Sequence, residues 1–312
     1  MATDLSGMHE DYQSIKVFDF PFHPLVLALA NAFFRFERWR KCRHANPELS
    51  IEKFNITSGD GRQVPVIAMT PRNLIGQSSP VVIYYHGGAF ALGWASMHHL
   101  NCQRYALEGG ATVLLVGYRL TPANPFPAPF EDCYAALEWV HANAEQKGFD
   151  LTKIATMGDS AGGCLTAAVA QKAADEGKPL AATVMIYPAL DSDCKTTSAV
   201  EFTNTPIWSA NSNRRMWELY LKNVPADSNP KYASPAHRQN LTGQPPAYIE
   251  TAEFDPLRDE ALIYATALEA AGVAVERNET KGTIHGFELA ADNPIVEDSM
   301  QRRCEYLKRV LA

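Results

Sequence analysis

From residue 80 onward, short apolar runs alternate with segments of helical length. The runs 81–85, 111–117, 154–157, 182–186, 247–251 and 273–277 are rich in β-branched and aromatic residues. Between them, 97–107, 130–144, 161–174 and 258–271 carry helix-like patterns, and glycines at 109–110, 148, 177 and 272 fall where those helices should stop. Strands apolar on both faces, alternating with helices, predict an α/β fold: a mostly parallel sheet with helices on both sides. Upstream, 51–57 and 63–70 alternate around the turn Ser58-Gly59-Asp60-Gly61, which predicts a hairpin. Residues 1–48 read as helical, with apolar positions at Leu25, Leu27, Leu29, Phe33, Phe34 and Trp39.

One interval breaks the rhythm. Roughly sixty residues separate Tyr187 from Ala247, too many for a plain crossover. They hold Trp208, Met216, Trp217 and Tyr220 at helix-like spacing, then a proline-rich stretch at 225–235. The interval is either a lid over the carboxyl edge of the sheet, shared with the N-terminal helices, or an ordinary packed insertion. Phe33, Phe34, Trp208 and Trp217 are then candidates for substrate contact, with core packing as the alternative. The chain divides into N-terminal cap helices (1–48), a first core part (49–190), a cap insertion (191–240) and a second core part (241–312).

Composition narrows the picture. With 46% hydrophobic residues, 312 residues can bury one large core. A net charge of −7 argues against nucleic acid as a partner, which needs a clustered basic face. The stretch 35–43 has four Arg and one Lys but also Glu37, and reads as a solvated helix face. Segment 17–36 is interrupted by Asp19, Pro21, His23 and Asn31, so no stable membrane insertion is expected. It reads as an amphipathic helix covering something apolar, with rest on a membrane surface as the other reading. The six cysteines show no CxxC or metal-type spacing, and residues 1–15 have no apolar stretch typical of a signal peptide. Reduced thiols and a cytoplasmic location are the expectation.

The sharpest chemical signal is Gly158-Asp159-Ser160-Ala161-Gly162-Gly163, between a strand-like and a helix-like run. A serine on such a turn takes a strained backbone angle that lifts its Oγ clear of the sheet, and the flanking glycines let the chain bend. The alternative is a glycine-rich helix cap with an inert serine. His86-Gly87-Gly88-Ala89-Phe90 follows run 81–85. Backbone N–H groups aimed at a developing oxyanion are what acyl transfer needs, and Gly87, Gly88 and Ala161 are the candidate donors. His86 is placed to brace the loop. Neither GxGxxG nor GxxxxGK[ST] occurs, so nucleotide binding is unsupported.

A base should follow the acid and lie beyond the last strand, in the order Ser…Asp…His. His285 satisfies this; His98, His99, His141 and His237 precede it and read as surface or helix residues. Asp255 lies just after run 247–251, and Pro256 fixes a turn there. Asp191 is the rival acid, better read as a turn or cap residue, and Asp259 reads as a first-turn helix acid. Ser160 as nucleophile, His285 as base and Asp255 as its orienting acid form the expected set.

These motifs, with Tyr118-Arg119-Leu120-Thr121-Pro122, Phe126-Pro127-Ala128 and Asp255-Pro256-Leu257-Arg258-Asp259-Glu260, closely resemble the bacterial hormone-sensitive-lipase-like carboxylesterases, which include acetyl esterases. The resemblance runs from about residue 81 to 287. It implies an α/β-hydrolase fold with an eight-stranded sheet whose first two strands form a meander, and a helical cap. It implies a serine esterase acting on small-molecule esters of short to medium acyl length, without metal or cofactor, and often paired as a homodimer through the last strand and helix. The family's triad falls on Ser160, Asp255 and His285, and its oxyanion donors on Gly87, Gly88 and Ala161. Ala89 departs from the usual third glycine, which implies a changed loop shape; Ala123 and Asn124 also depart. A ligand-binding protein that has lost the base, and an amide-cleaving hydrolase, are the alternatives on the same fold. His285 stands against the first.

Overall fold

The computed structural model describes residues 4–17, 19–44, 46–225, 228–290 and 292–312; positions 226 and 227 of the proline-rich stretch lie outside these. Eight strands form one sheet: β1 (Leu49–Thr57), β2 (Gln63–Pro71), β3 (Ser79–Tyr85), β4 (Thr112–Val116), β5 (Phe149–Asp159), β6 (Ala182–Ile186), β7 (Ala247–Phe254) and β8 (Val275–Ile284). Their order is β1-β2-β4-β3-β5-β6-β7-β8. β1 pairs antiparallel with β2, and β2 with β4; all later pairs are parallel. The hairpin and the parallel core are therefore as the periodicity predicted.

The central strands are apolar throughout because both faces are covered. Helices α3 (Ser96–Gly109) and α9 (Pro294–Val310) pack on one face, α4 (Ala128–Lys147) and α5 (Ala161–Asp175) on the other. Val82, Tyr84, Val113 and Leu115 point to the first core; Val81, Ile83, Tyr85, Leu114 and Val116 point to the second. That alternation is the strand period of two with apolar residues in both phases. Helix α8 (Arg258–Ala270) covers β7 with a third cluster that includes Ile249, Leu268 and Tyr264.

Three features depart from the sequence reading. The N-terminal segment 1–48 is not helical throughout: among described residues it holds only α1 (Glu10–Gln13) and α2 (Pro24–Lys41), with residues 14–17 and 19–23 between them outside any helix. β8 runs on to Ile284, well beyond residue 277, since its polar side chains lie on the sheet's outer strand and carry no apolar signal. Helix α9, with Glu297, Asp298, Arg302 and Lys308 among its residues, shows no continuous apolar pattern and enters only as the last helix that the resemblance implies.

The interval after β6 contains α6 (Thr197–Glu201) and α7 (Ala210–Tyr220). It meets the N-terminal segment: Ser209 Oγ donates to Asp19 at 2.6 Å, Phe20 N–H to Ser212 Oγ at 2.9 Å, and the rings of Phe22 and Trp208 lie 6.3 Å apart. Asn31 ties α2 to the loop after β3, donating to Ala91 O at 3.1 Å and accepting from Gly93 N–H at 2.7 Å. All six cysteines are free, five of them buried. No helix among the described residues is long and apolar enough to cross a membrane.

Candidate active site

Ser160 sits between β5 and α5 with φ 54° and ψ −119°. This is left-handed space that a residue with a Cβ avoids, at a cost of about 1–3 kcal/mol. The surroundings hold it there. Ser160 N–H donates to Ile186 O at 2.9 Å, and its carbonyl accepts from Ala189 N–H at 3.1 Å. The turn closes because Gly158 and Gly162 lack side chains: a Cβ on Gly162 would overlap the carbonyl oxygen of Tyr85, and one on Gly158 the carbonyl of Gly162. The serine hydroxyl is thereby presented at the carboxyl end of the sheet, over the N-terminus of α5.

His285 follows β8 directly and Asp255 follows β7, so neighbouring strands deliver both. His285 Nε2 lies 2.9 Å from Ser160 Oγ, and His285 Nδ1 lies 2.7 Å from Asp255 Oδ2. A carboxylate only accepts, so Nδ1 carries the proton and the bare Nε2 accepts from the serine hydroxyl. Asp255 is fully buried, and its other oxygen accepts from Leu257 N–H at 2.9 Å. Asp191, the rival acid, pairs instead with His237 at 2.9 Å. Asp259 lies in the first turn of α8 and accepts from Ser198 N–H at 2.8 Å.

The loop after β3 requires one correction. Gly87 N–H already donates to Asp159 Oδ1 at 3.0 Å, so it is not free to receive an oxyanion. Gly88, Ala89 and Ala161 have amides with no acceptor among the described residues. Ala89 has φ 56°, the left-handed angle that the usual glycine takes without strain. His86 braces the loop from behind. Its Nδ1–H donates to Gly87 O at 2.7 Å, its ring stacks on Tyr118 at 4.3 Å, and burial drives its pKa down to about 3, which keeps it neutral.

Two residues unused in the sequence reading hold this loop. Asp159 accepts from Tyr84 OH at 2.6 Å as well as from Gly87, and its second oxygen faces His98 Nε2 at 3.2 Å. His98 is a helix residue, in α3, but a buried one; its Nδ1 accepts from Ala95 N–H at 2.8 Å, so Nε2 must carry the proton it donates to Asp159. Burial alone would raise the Asp159 carboxyl, but the neighbouring His98 and the bonds from His98 and Tyr84 outweigh it and hold the group well below the usual carboxylate range. A second buried network supports the other rim. Arg303 of α9 pairs with Glu250 and with Glu288 at 2.7 Å, and Tyr187 OH donates to Glu288 at 2.6 Å. Glu288 lies three residues after His285, and the Tyr187 and His285 rings are 4.8 Å apart.

Ser160 and His285 open into a largely apolar cavity of about 680 Å³. Phe33, Phe34 and Trp208 are among the residues lining it, with Leu92, Ile207 and Tyr187. Trp217 does not. It is 3% exposed and packs in the core against Phe90, 6.0 Å between rings, because α7 turns it away from the cavity.

A strained serine behind a βα turn, a buried histidine–carboxylate pair at the ends of the next strands, and free amides facing them define a serine hydrolase architecture on a parallel sheet. The family model for the alpha/beta hydrolase fold matches residues 82–289. The chain belongs to this family, in its hormone-sensitive-lipase-like branch. It is similar to carboxylesterase NlhH of Mycobacterium tuberculosis, 36% identical over 85% of this chain and 84% of that one. It is also similar to ethyl acetate hydrolase of Pseudomonas putida, 33% identical over 76% and 75% of the two chains. Among solved structures, a bacterial heroin esterase superposes with a TM-score of 0.91 at 34% identity, covering 99% of this chain and 100% of that one.

Proposed function

We propose that this protein is a carboxylic ester hydrolase working through an acyl-enzyme, with Ser160, His285 and Asp255 as its catalytic residues. The observation that carries the reading is the pair of contacts at 2.9 and 2.7 Å joining Ser160 to His285 and His285 to Asp255. The relatives' names, carboxylesterase and ethyl acetate hydrolase, support the same substrate class.

Ser160 Oγ attacks the ester carbonyl while His285 Nε2 takes its proton, and buried Asp255 stabilises the imidazolium without being protonated. The carbonyl oxygen becomes an oxyanion received by the amides of Gly88, Ala89 and Ala161. Collapse breaks the bond to the alkoxy oxygen, which leaves as an alcohol with the proton from His285. Water then adds to the acyl-enzyme as His285 takes its proton; the acid departs and the proton returns to Ser160 Oγ. The cavity volume lies within the ~300–1,000 Å³ range of small-molecule sites, and its aromatic lining suits short to medium acyl chains. The reading extends to a cytoplasmic location and to a homodimer through the last strand and helix, β8 and α9; among the described residues no strand pairs with the outer edge of β8.

Hydrolysis of p-nitrophenyl esters from acetate to decanoate, with an anilide alongside, tests this. Wild type should cleave the short and medium esters and not the anilide, and Ser160→Ala should lose on the order of 10⁵–10⁶ in kcat. Wild type running at the background rate refutes the proposal.

A further inference from the structure

Helix α2 buries little of its apolar surface. Leu27 is buried, whereas Leu25, Leu29, Phe36 and Trp39 are 57–63% exposed. At 3.6 residues per turn these four fall within about 80° of the helix circumference, a stripe about 20 Å long. A contiguous exposed apolar stripe on an otherwise well-packed chain marks a contact with something outside the fold.

The charges beside the stripe have one sign. Arg40 projects next to Phe36 and Leu29 on the helical wheel, Arg35 flanks Trp39, and Arg43 follows the helix end. None of the three has a carboxylate partner among the described residues. The helix's one acid, Glu37, is taken up by Lys41 at 2.8 Å and by Ser96 N–H. Arginines without a carboxylate partner bordering Leu, Phe and Trp, on a chain of net charge −7, complement an anionic lipid surface; Arg43 donates only to the His44 ring, at 3.1 Å.

We propose that α2 seats the protein on an anionic phospholipid surface. Leu25, Leu29, Phe36 and Trp39 enter the boundary between headgroups and acyl chains, and Arg35, Arg40 and Arg43 meet the phosphates. A second copy of the chain fits less well, since two such faces would bring together arginines that have no carboxylate partner, with no acid between them. The opposite side of α2, at Phe34 and Glu37, lines the cavity above Ser160, so docking brings the cavity mouth beside the lipid. The docking stands independently of which ester is cleaved.

Co-sedimentation of the full chain with phosphatidylglycerol–phosphatidylcholine vesicles, against phosphatidylcholine alone, tests it. Wild type should partition into the anionic vesicles. Arg40→Glu/Arg43→Glu should weaken partitioning by at least about fivefold per residue, and Leu29→Ser/Phe36→Ser by about tenfold or more. Both variants should keep wild-type hydrolysis of p-nitrophenyl acetate, which reports that they fold. Equal partitioning of wild type into the two vesicle types overturns the proposal. So does a dimer in sedimentation velocity that Leu29→Ser/Phe36→Ser dissociates while wild type ignores vesicles.

Discussion

Replacing Asp159 by asparagine separates the support of the oxyanion loop from the reacting residues. Oδ1 receives both Tyr84 OH and Gly87 N–H, and Oδ2 faces His98 Nε2. Asparagine can keep the first oxygen, but its amide nitrogen then meets the N–H of His98. That imidazole cannot turn its other face without giving up Ala95 N–H. One charge-assisted hydrogen bond is lost and two donors are opposed, at a cost of about 2–4 kcal/mol. Gly87 loses the charged acceptor that fixes the loop, so Gly88 and Ala89 drift from the oxyanion position. kcat should fall by up to about 10²-fold, with KM little changed, because the amides act chiefly in the transition state. The stability gap should also depend on pH. A carboxyl held below its unfolded value of about 3.9 stabilises the fold above that pH and loses the contribution as pH falls toward the folded value. Urea unfolding at pH 7 and near pH 3 should therefore show a gap that narrows in acid. A variant with wild-type kcat, or one whose defect lies wholly in KM, refutes the positioning role.

Three other substitutions probe the same frame. Gly162→Ala sets a methyl group against the Tyr85 carbonyl, backbone against backbone, and should leave little soluble folded protein on expression. Ala89→Gly relieves the left-handed φ of 56° and should raise the unfolding free energy by about 0.5–1 kcal/mol in denaturant titration. Arg303→Met strands the buried carboxylates of Glu250 and Glu288 and should cost about 3–5 kcal/mol, with activity falling as the segment after His285 loosens.

Much of the frame was legible along the chain because its causes are local. Two-sided apolar runs mark buried parallel strands, glycines mark helix ends, and the elbow around Ser160 needs small residues at fixed offsets. The order serine, aspartate, histidine was readable because successive strands carry each residue to the same edge of the sheet, and Asp255 and His285 do meet there.

What the pattern could not carry was decided by contacts between distant segments. Gly87 looks like an oxyanion donor until Asp159, far away in the chain, is seen holding its amide. Trp217 and Trp208 share one insertion and one residue type and are both buried in one core, yet Trp208 keeps a face on the cavity beside His285 while α7 packs Trp217 against Phe90. His98 and Arg303 carry no motif; each sits in a helix that reads as partly polar, and burial turns them into supports of the site. Side-chain type and spacing determine what a segment can form. Which polar groups become each other's partners is set only when the sheet brings them together away from water.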